Sequence, residues 1–244
     1  MPSRTGPPAP YVERMFSRIA PRYDVLNTTM TLGRHRCWKR ATALAAGAAQ
    51  GRGPALDVAT GTGDLAFTLA DLPNVSSVLG VDLSGEMIRV AARKASRRPL
   101  SCPVSFLEAD ALALPFANDS FMCAASSFAL RNVEDLETCV SEMVRVVSPG
   151  GRVAVLELSP VRGWFPLNPF LNCYVRRLVP LMGHLLAGDR SSYSYLSESI
   201  DRFPDADGLA EVLRAAGLEQ VSYRRMNMGI VALHWGSKPV PPAS

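Results

Sequence analysis

The chain has 244 residues, 48% of them apolar, enough to bury one sizeable core, so a single domain is expected. The formal charge of +4 is spread over scattered cations, and the short groups Arg34/Arg36/Lys39/Arg40 and Arg93/Lys94/Arg97/Arg98 read as solvated helix faces; nucleic acid is not an expected partner, while a slight attraction to an anionic membrane surface remains. Cys37, Cys102, Cys123, Cys139 and Cys173 form no C-x-x-C pair, and His35, His184 and His234 are dispersed, so neither a disulfide framework nor a metal site is expected and the compartment reads as reducing.

Residues 1–10 are proline-rich and polar, unlike a signal peptide, and are expected to be loose. No apolar run reaches the length that spans a bilayer. Residues 11–50 read as helical: Val12, Met15, Phe16 and Ile19 recur at helical spacing, and a second run from about Arg34 to Ala49 ends at Gly51. Strands and helices then alternate through 52–160. Strand Pro54–Ala59 leads to helix Asp64–Leu72, then strand Ser77–Asp82, then a helix capped by Ser84 that runs to about Ala95. Strands Val104–Glu108 and Phe121–Ser127 follow. Leu136, Cys139, Val140, Met143, Val144 and Val147 form one helical stripe, and Ser148-Pro149-Gly150-Gly151 is expected to stop it and turn into strand Arg152–Leu158.

The alternation breaks over 161–204, which reads as a helical insertion. Leu167, Phe170, Leu171, Tyr174, Val175 and Leu178 follow helical spacing there, beside Arg176 and Arg177. In 205–238 a helix near Gly208–Ala216 ends at Gly217, and strands near Gln220–Arg225 and Gly229–Trp235 close the pattern; the tail Lys238–Ser244 is expected to be loose. The prediction is an α/β fold: a doubly wound, mostly parallel, seven-stranded Rossmann-like sheet, with N-terminal helices and an insertion before the last two strands.

Leu56-Asp57-Val58-Ala59-Thr60-Gly61-Thr62-Gly63-Asp64 carries the strongest chemical signal. A buried strand enters a glycine turn, where Gly61 and Gly63 let a ligand lie against bare backbone. Gly61-x-Gly63-x-x-Ala66 also satisfies the loose dinucleotide pattern, so a nicotinamide-dependent oxidoreductase stays open. Asp64 argues against it, because a carboxylate at the helix N-terminus would repel a pyrophosphate. Asp57 and Asp64 suit instead an ammonium and a sulfonium, the two cations of S-adenosylmethionine. Ligands of open α/β sheets bind beyond the carboxyl ends of the strands, which singles out Thr62, Asp82, Asp110, Ala111, Ser127, Arg131, Asn132, Glu157 and Ser159. Asp82, about 20 residues past the turn, is placed to accept both ribose hydroxyls, and Asp110 and Ala111 to border an adenine. Arg131 has a plain alternative as ion-pair partner of Glu134 or Asp135, and Glu157 as a brace for the glycine turn.

From Phe16 to Lys238 the chain resembles the ubiquinone/menaquinone biosynthesis C-methyltransferases. The resemblance rests on Ile19-Ala20-Pro21-Arg22-Tyr23-Asp24-x-x-Asn27, on Leu32-Gly33-x-His35-x-x-Trp38-Lys39 and on the glycine turn with Asp64. It continues through Asp110-Ala111-x-Ala113-Leu114-Pro115-Phe116, Ser127-Phe128-x-Leu130-Arg131-Asn132-Val133, Tyr195-Leu196-x-Glu198-Ser199-Ile200 and Gly229-Ile230-Val231-Ala232-Leu233-His234. Two positions depart from the pattern: Ala129 where glycine is usual, and Met122 where an acid is usual. The resemblance implies a class I S-adenosylmethionine-dependent methyltransferase acting on a ring carbon of a prenylated quinol. By resemblance Thr62, Asp82, Asp110, Ala111 and Ser127 bind the donor; Asp57, Gly61 and Gly63 join them as parts of the turn.

A quinol carbon is a weak nucleophile until a neighbouring hydroxyl, which titrates near pH 10, loses its proton. Arg131 is the leading candidate to stabilise that oxyanion, with Tyr23, Asp24 and His35 as groups that orient the quinol or take its proton. An O- or N-methyltransferase of a small aromatic and a non-catalytic donor-binding subunit stand as alternatives. The setting expected is cytoplasmic, with peripheral contact on the inner membrane face and a homodimer allowed for.

Overall fold

The computed structural model describes residues 6–160 and 199–241. The helical stripe expected over 167–178, with Arg176, Arg177, Cys173 and His184, lies outside the described residues. Elements are numbered over the described residues. Three helices open the chain: α1 (Ala9–Ile19), α2 (Tyr23–Thr31) and α3 (His35–Gly47). Next come β1 (Gly53–Val58), α4 (Asp64–Ala70), β2 (Val75–Asp82), α5 (Gly85–Ala95), β3 (Val104–Glu108) and β4 (Phe121–Ser127). Then follow α6 (Leu136–Val146), β5 (Val147–Leu158), α7 (Ala206–Ala215), β6 (Glu219–Met226) and β7 (Val231–Ser237).

The helix starts follow from side-chain caps. Ser84 accepts from the Met87 N–H, Asp135 from the Thr138 N–H and Asp205 from the Gly208 N–H, each satisfying a donor the helix leaves open. Helix α1 starts at Ala9, so the stretch expected to be loose is already helical at Ala9 and Pro10; proline suits a first turn, where its missing N–H costs nothing.

All seven strands form one sheet in the order β3-β2-β1-β4-β5-β7-β6. Strands β1 to β5 are parallel, and β7 runs antiparallel to both β5 and β6. Period-two alternation sends neighbours to opposite faces. Leu56 and Val58 join Ala124 under α6 and α7, whereas Ala55 joins Cys123 and Ala125 under α3 and α4. A third cluster, Leu156, Val231 and Leu233, receives Trp38 from α3.

Ser148-Pro149-Gly150-Gly151 does not separate helix from strand as expected. Helix α6 ends at Val146 and β5 starts at Val147, pairing with Phe121, and the tetrapeptide lies inside β5 as a register shift with Gly150 at φ 77°. Nor is Lys238 loose. Its ammonium donates to the Val144, Arg145 and Val147 carbonyls and pairs with Asp119, tying the chain end to the carboxyl end of α6.

Candidate donor and substrate cleft

Sheet order reverses between β1 and β4, and the two carboxyl ends there leave a crevice. Over it lies a cleft with about 770 Å³ of open space. Its walls come from the crest (Ala59, Gly61, Asp82, Asp110, Ala111, Ser127), from Phe128, Ala129, Asn132 and Val133, and from Val12, Phe16 and Tyr23 of the N-terminal helices. Ala59 (φ 55°) and Phe128 (φ 59°) each directly follow one of those two strands in the left-handed region. Such strain concentrates where a chain is held open for a ligand. Sequence reasoning missed both, since neither is glycine or asparagine.

Asp82 ends β2 with one oxygen accepting from the Gly61 N–H at 2.8 Å and the other from the Ser84 N–H at 2.9 Å. Each oxygen keeps a lone pair for a ligand hydroxyl. Burial nonetheless raises its pKa above the usual carboxylate range, against those two backbone donors. Asp110 anchors its own turn by accepting from the Leu112 N–H at 2.9 Å.

The glycine turn is held from the opposite side. Asp24 accepts from Thr62 Oγ1 at 2.5 Å and from Lys94 Nζ at 2.6 Å, so both its oxygens are engaged and it does not line the cleft. Asp64 pairs with Lys94 at 2.7 Å and Lys39 at 3.2 Å. Although burial pushes its pKa up, the two lysines outweigh that and bring it down to about 2. The carboxylate that the sequence reading offered to a bound cation therefore already holds two. Lys94, read as part of a solvated face, is a bridge between α2, the turn and α4. Its partners lie 30 to 70 residues away in sequence, beyond any local signal.

Asp57 is buried with Oδ2 bonded to Thr60 Oγ1 at 2.6 Å, and burial raises its pKa to about 7. His35 is buried, with Nδ1 on Thr31 Oγ1 at 2.8 Å; desolvation first, and Lys39 next, lower its pKa, and it does not line the cleft. Tyr23 does line it, packed edge-on against Phe16.

Arg131 sits on the one-turn helix Leu130–Asn132. Its partner is Glu157, at 2.9 Å, rather than Glu134 or Asp135; Glu157 braces this loop and the Leu158 N–H instead of the glycine turn. The guanidinium Nε–H is buried and has no acceptor among the described residues. Asn132 and Ala129, on either side, line the cleft; Arg131 does not.

Three carboxylates (Asp82, Asp110 and Glu134) line the cleft, and among the described residues no Lys or Arg does. That donor set fits a cationic nucleoside ligand and opposes a pyrophosphate. The apolar flanks Leu83, Met87, Ala109 and Leu112 suit a planar base.

Comparison with known proteins agrees. A family model described as the ubiE/COQ5 methyltransferase family matches residues 5–238. The demethylmenaquinone methyltransferase of Thermus thermophilus is 42% identical over 92% of this chain and 100% of its own length. The ubiquinone/menaquinone biosynthesis C-methyltransferase UbiE of Dinoroseobacter shibae is 40% identical over 93% of this chain and 90% of its own. Among solved structures, the cyclase SpnF shares the fold with a TM-score of 0.70 at 19% identity, covering 96% of this chain and 97% of that one.

Proposed function

The chain belongs to the ubiE/COQ5 methyltransferase family, an S-adenosylmethionine-dependent class of enzyme, and on that footing we propose that it methylates a ring carbon of a prenylated quinol. One relative is named for demethylmenaquinone and another for ubiquinone/menaquinone biosynthesis, and the substrates proposed for this chain are demethylmenaquinol and the equivalent benzoquinol. The observation that carries the reading is the cleft at the β1/β4 crest, lined by acids and free of basic side chains among the described residues.

Bound there, S-adenosylmethionine supplies an electrophilic methyl on a sulfonium. The residues proposed to hold it are Asp82 at the ribose, Asp110 and Ala111 at the base, and Gly61 and Ser127 along the turn and crest; Thr62 and Gly63 do not line the cleft and are proposed to act by shaping the turn. Asp57 stands behind the turn as a buried acid that a nearby cation would ionise. Tyr23, Phe128 and Ala129 would border the ring. Ala129 in place of glycine narrows that border by a methyl group.

Arg131 is proposed to favour the phenolate. Its Nε–H is a buried donor in want of an acceptor, beside two cleft residues, and a donor so placed is worth most for a charge that develops only in the reaction. Glu157 fixes its orientation. Asp24 and His35 are reassigned to positioning: Asp24 docks α2 on Thr62, and His35 steadies the bend between α2 and α3. A cytoplasmic protein resting peripherally on the inner membrane face would meet such a substrate; no helix among the described residues is long and apolar enough to cross a membrane.

The test is incubation with methyl-labelled donor and both demethylated quinols, with mass spectrometry locating the label. Label on a ring carbon is expected. Label on oxygen, or transfer to neither quinol, overturns the proposal.

A further inference from the structure

The α2–α3 and β6–β7 corners meet at the molecular surface, joined by Arg34 Nη1 donating to Asn227 Oδ1 at 2.8 Å. Each corner presents a large apolar side chain to water. Leu32 caps α2 at φ 50° and is 82% exposed; Met228 sits at φ 56° and is 56% exposed. Glycine or asparagine adopts that left-handed backbone with less strain, and a polar tip would be better solvated. Two corners in contact thus share the same departure from what local stability favours. Val25, seven residues before Leu32 on α2, adds a third exposed apolar group.

The two chain segments that form the corners carry charge of one sign. No Asp or Glu stands between Val25 and Leu56, nor between Gln220 and the end of the chain. Arg34, Arg36 and Arg224 are exposed and pair with no carboxylate among the described residues. Arg225, by contrast, is neutralised by Asp207.

The corners also connect with the cleft. Phe128, in the cleft wall, packs edge-on against Trp38 at 6.1 Å. Trp38, Phe128, Met226 and Ile230, all partly buried, rest on the Leu156/Val231/Leu233 cluster, so apolar packing links the cleft wall to the β6–β7 corner.

We propose that Leu32 and Met228 are a pair of insertion tips, with Arg34, Arg36 and Arg224 around them, that dock the enzyme on an anionic lipid bilayer. Apolar side chains enter the acyl boundary while arginines meet headgroup phosphates. Single tips without a continuous apolar face fit a fluid bilayer better than the packed core of a protein interface. The inference rests on the proposed prenylated substrate only for its purpose: a tail left in the membrane could follow the Trp38 track to the cleft.

The experiment is flotation of the full chain with vesicles of phosphatidylcholine alone or with phosphatidylglycerol, comparing wild type with L32N/M228N. Asparagine accepts the left-handed backbone, so the variant should melt no lower than wild type. Wild type should prefer the anionic vesicles, and the variant should lose about tenfold or more of that binding. Absence of that preference, or equal binding by the variant, overturns the proposal. So does an altered self-association of the variant in sedimentation without lipid, which would mark the corners as an interface between copies. Methyl transfer to a short-tailed, water-soluble quinol, assayed separately, should be alike in both proteins. Its failure with vesicle binding intact would count against the proposed reaction and leave the docking surface standing.

Discussion

Asp57 offers a sharp test of the electrostatics beneath the glycine turn. It is buried, with one oxygen on Thr60 and the other without a partner among the described residues. Burial raises its pKa from 3.8 to about 7, the Thr60 hydroxyl and Lys39 only partly opposing. A group whose folded pKa is raised holds its proton more tightly in the native state. Its contribution to stability is whole below pH 3.8 and is lost as pH climbs through about 7. Each pKa unit is worth about 1.4 kcal/mol, so integration between roughly pH 5.5 and 8.5 gives a loss of about 2 kcal/mol. For a domain of this size that is a fall of about 4–8 °C in Tm. Asp57→Asn keeps the shape and the acceptor for Thr60 but removes the titration. Urea unfolding of both proteins at the two pH values isolates the difference from every other titrating group. Wild type should lose about 2 kcal/mol more than the variant on going to high pH. Parallel pH profiles would refute the reasoning.

Glu157→Gln should cost roughly 3–5 kcal/mol in denaturant unfolding, because it leaves the Arg131 guanidinium buried without its counter-charge, and the double variant R131M/E157Q should recover most of that. Equal losses in the single and the double variant would contradict the pairing. Gly80→Ala would set a methyl 2.7 Å from the Phe106 ring and 2.8 Å from Thr60 Oγ1, an overpacking worth about 1–3 kcal/mol that thermal unfolding would register. Lys94→Met removes the bridge from α2 to the glycine turn. Its partly exposed pairs are worth little stability, about 1 kcal/mol each at most, whereas calorimetric affinity for S-adenosylhomocysteine should fall about fivefold or more. An unchanged affinity would show that the bridge does not shape the donor site.

Much of the frame was legible because its signals are local. β3 and β4 lie where their apolar runs end, and Ser84 caps α5 as its hydroxyl and the following Glu86 imply. Asp82, Asp110 and Ser127 end successive strands, so the parallel topology alone brings them to one crest. Less legible was whatever depends on distant partners. Asp64 looked open because Lys39 and Lys94 reach it from α3 and α5. Arg131 seemed destined for a neighbouring acid, yet β5 carries Glu157 beneath it. Ser148-Pro149-Gly150-Gly151 has the composition of a turn, but pairing of Val147 with Phe121 draws it into the sheet. Strain at Ala59 and Phe128 leaves no compositional trace, since tertiary packing imposes it.

Strand β7, the last of the described strands, lies between β5 and β6 rather than at an edge. On the ribosome, β1 to β5 can assemble as they emerge, but β6 has no neighbour to pair with until the residues up to Ser237 have cleared the exit tunnel. Until then β5 bears a naked flank, a temporary adhesive edge on an otherwise complete half-molecule. The strand that closes the sheet is thus made after both of its neighbours, and a chain cut short before Val231 would be prone to stick to its own kind.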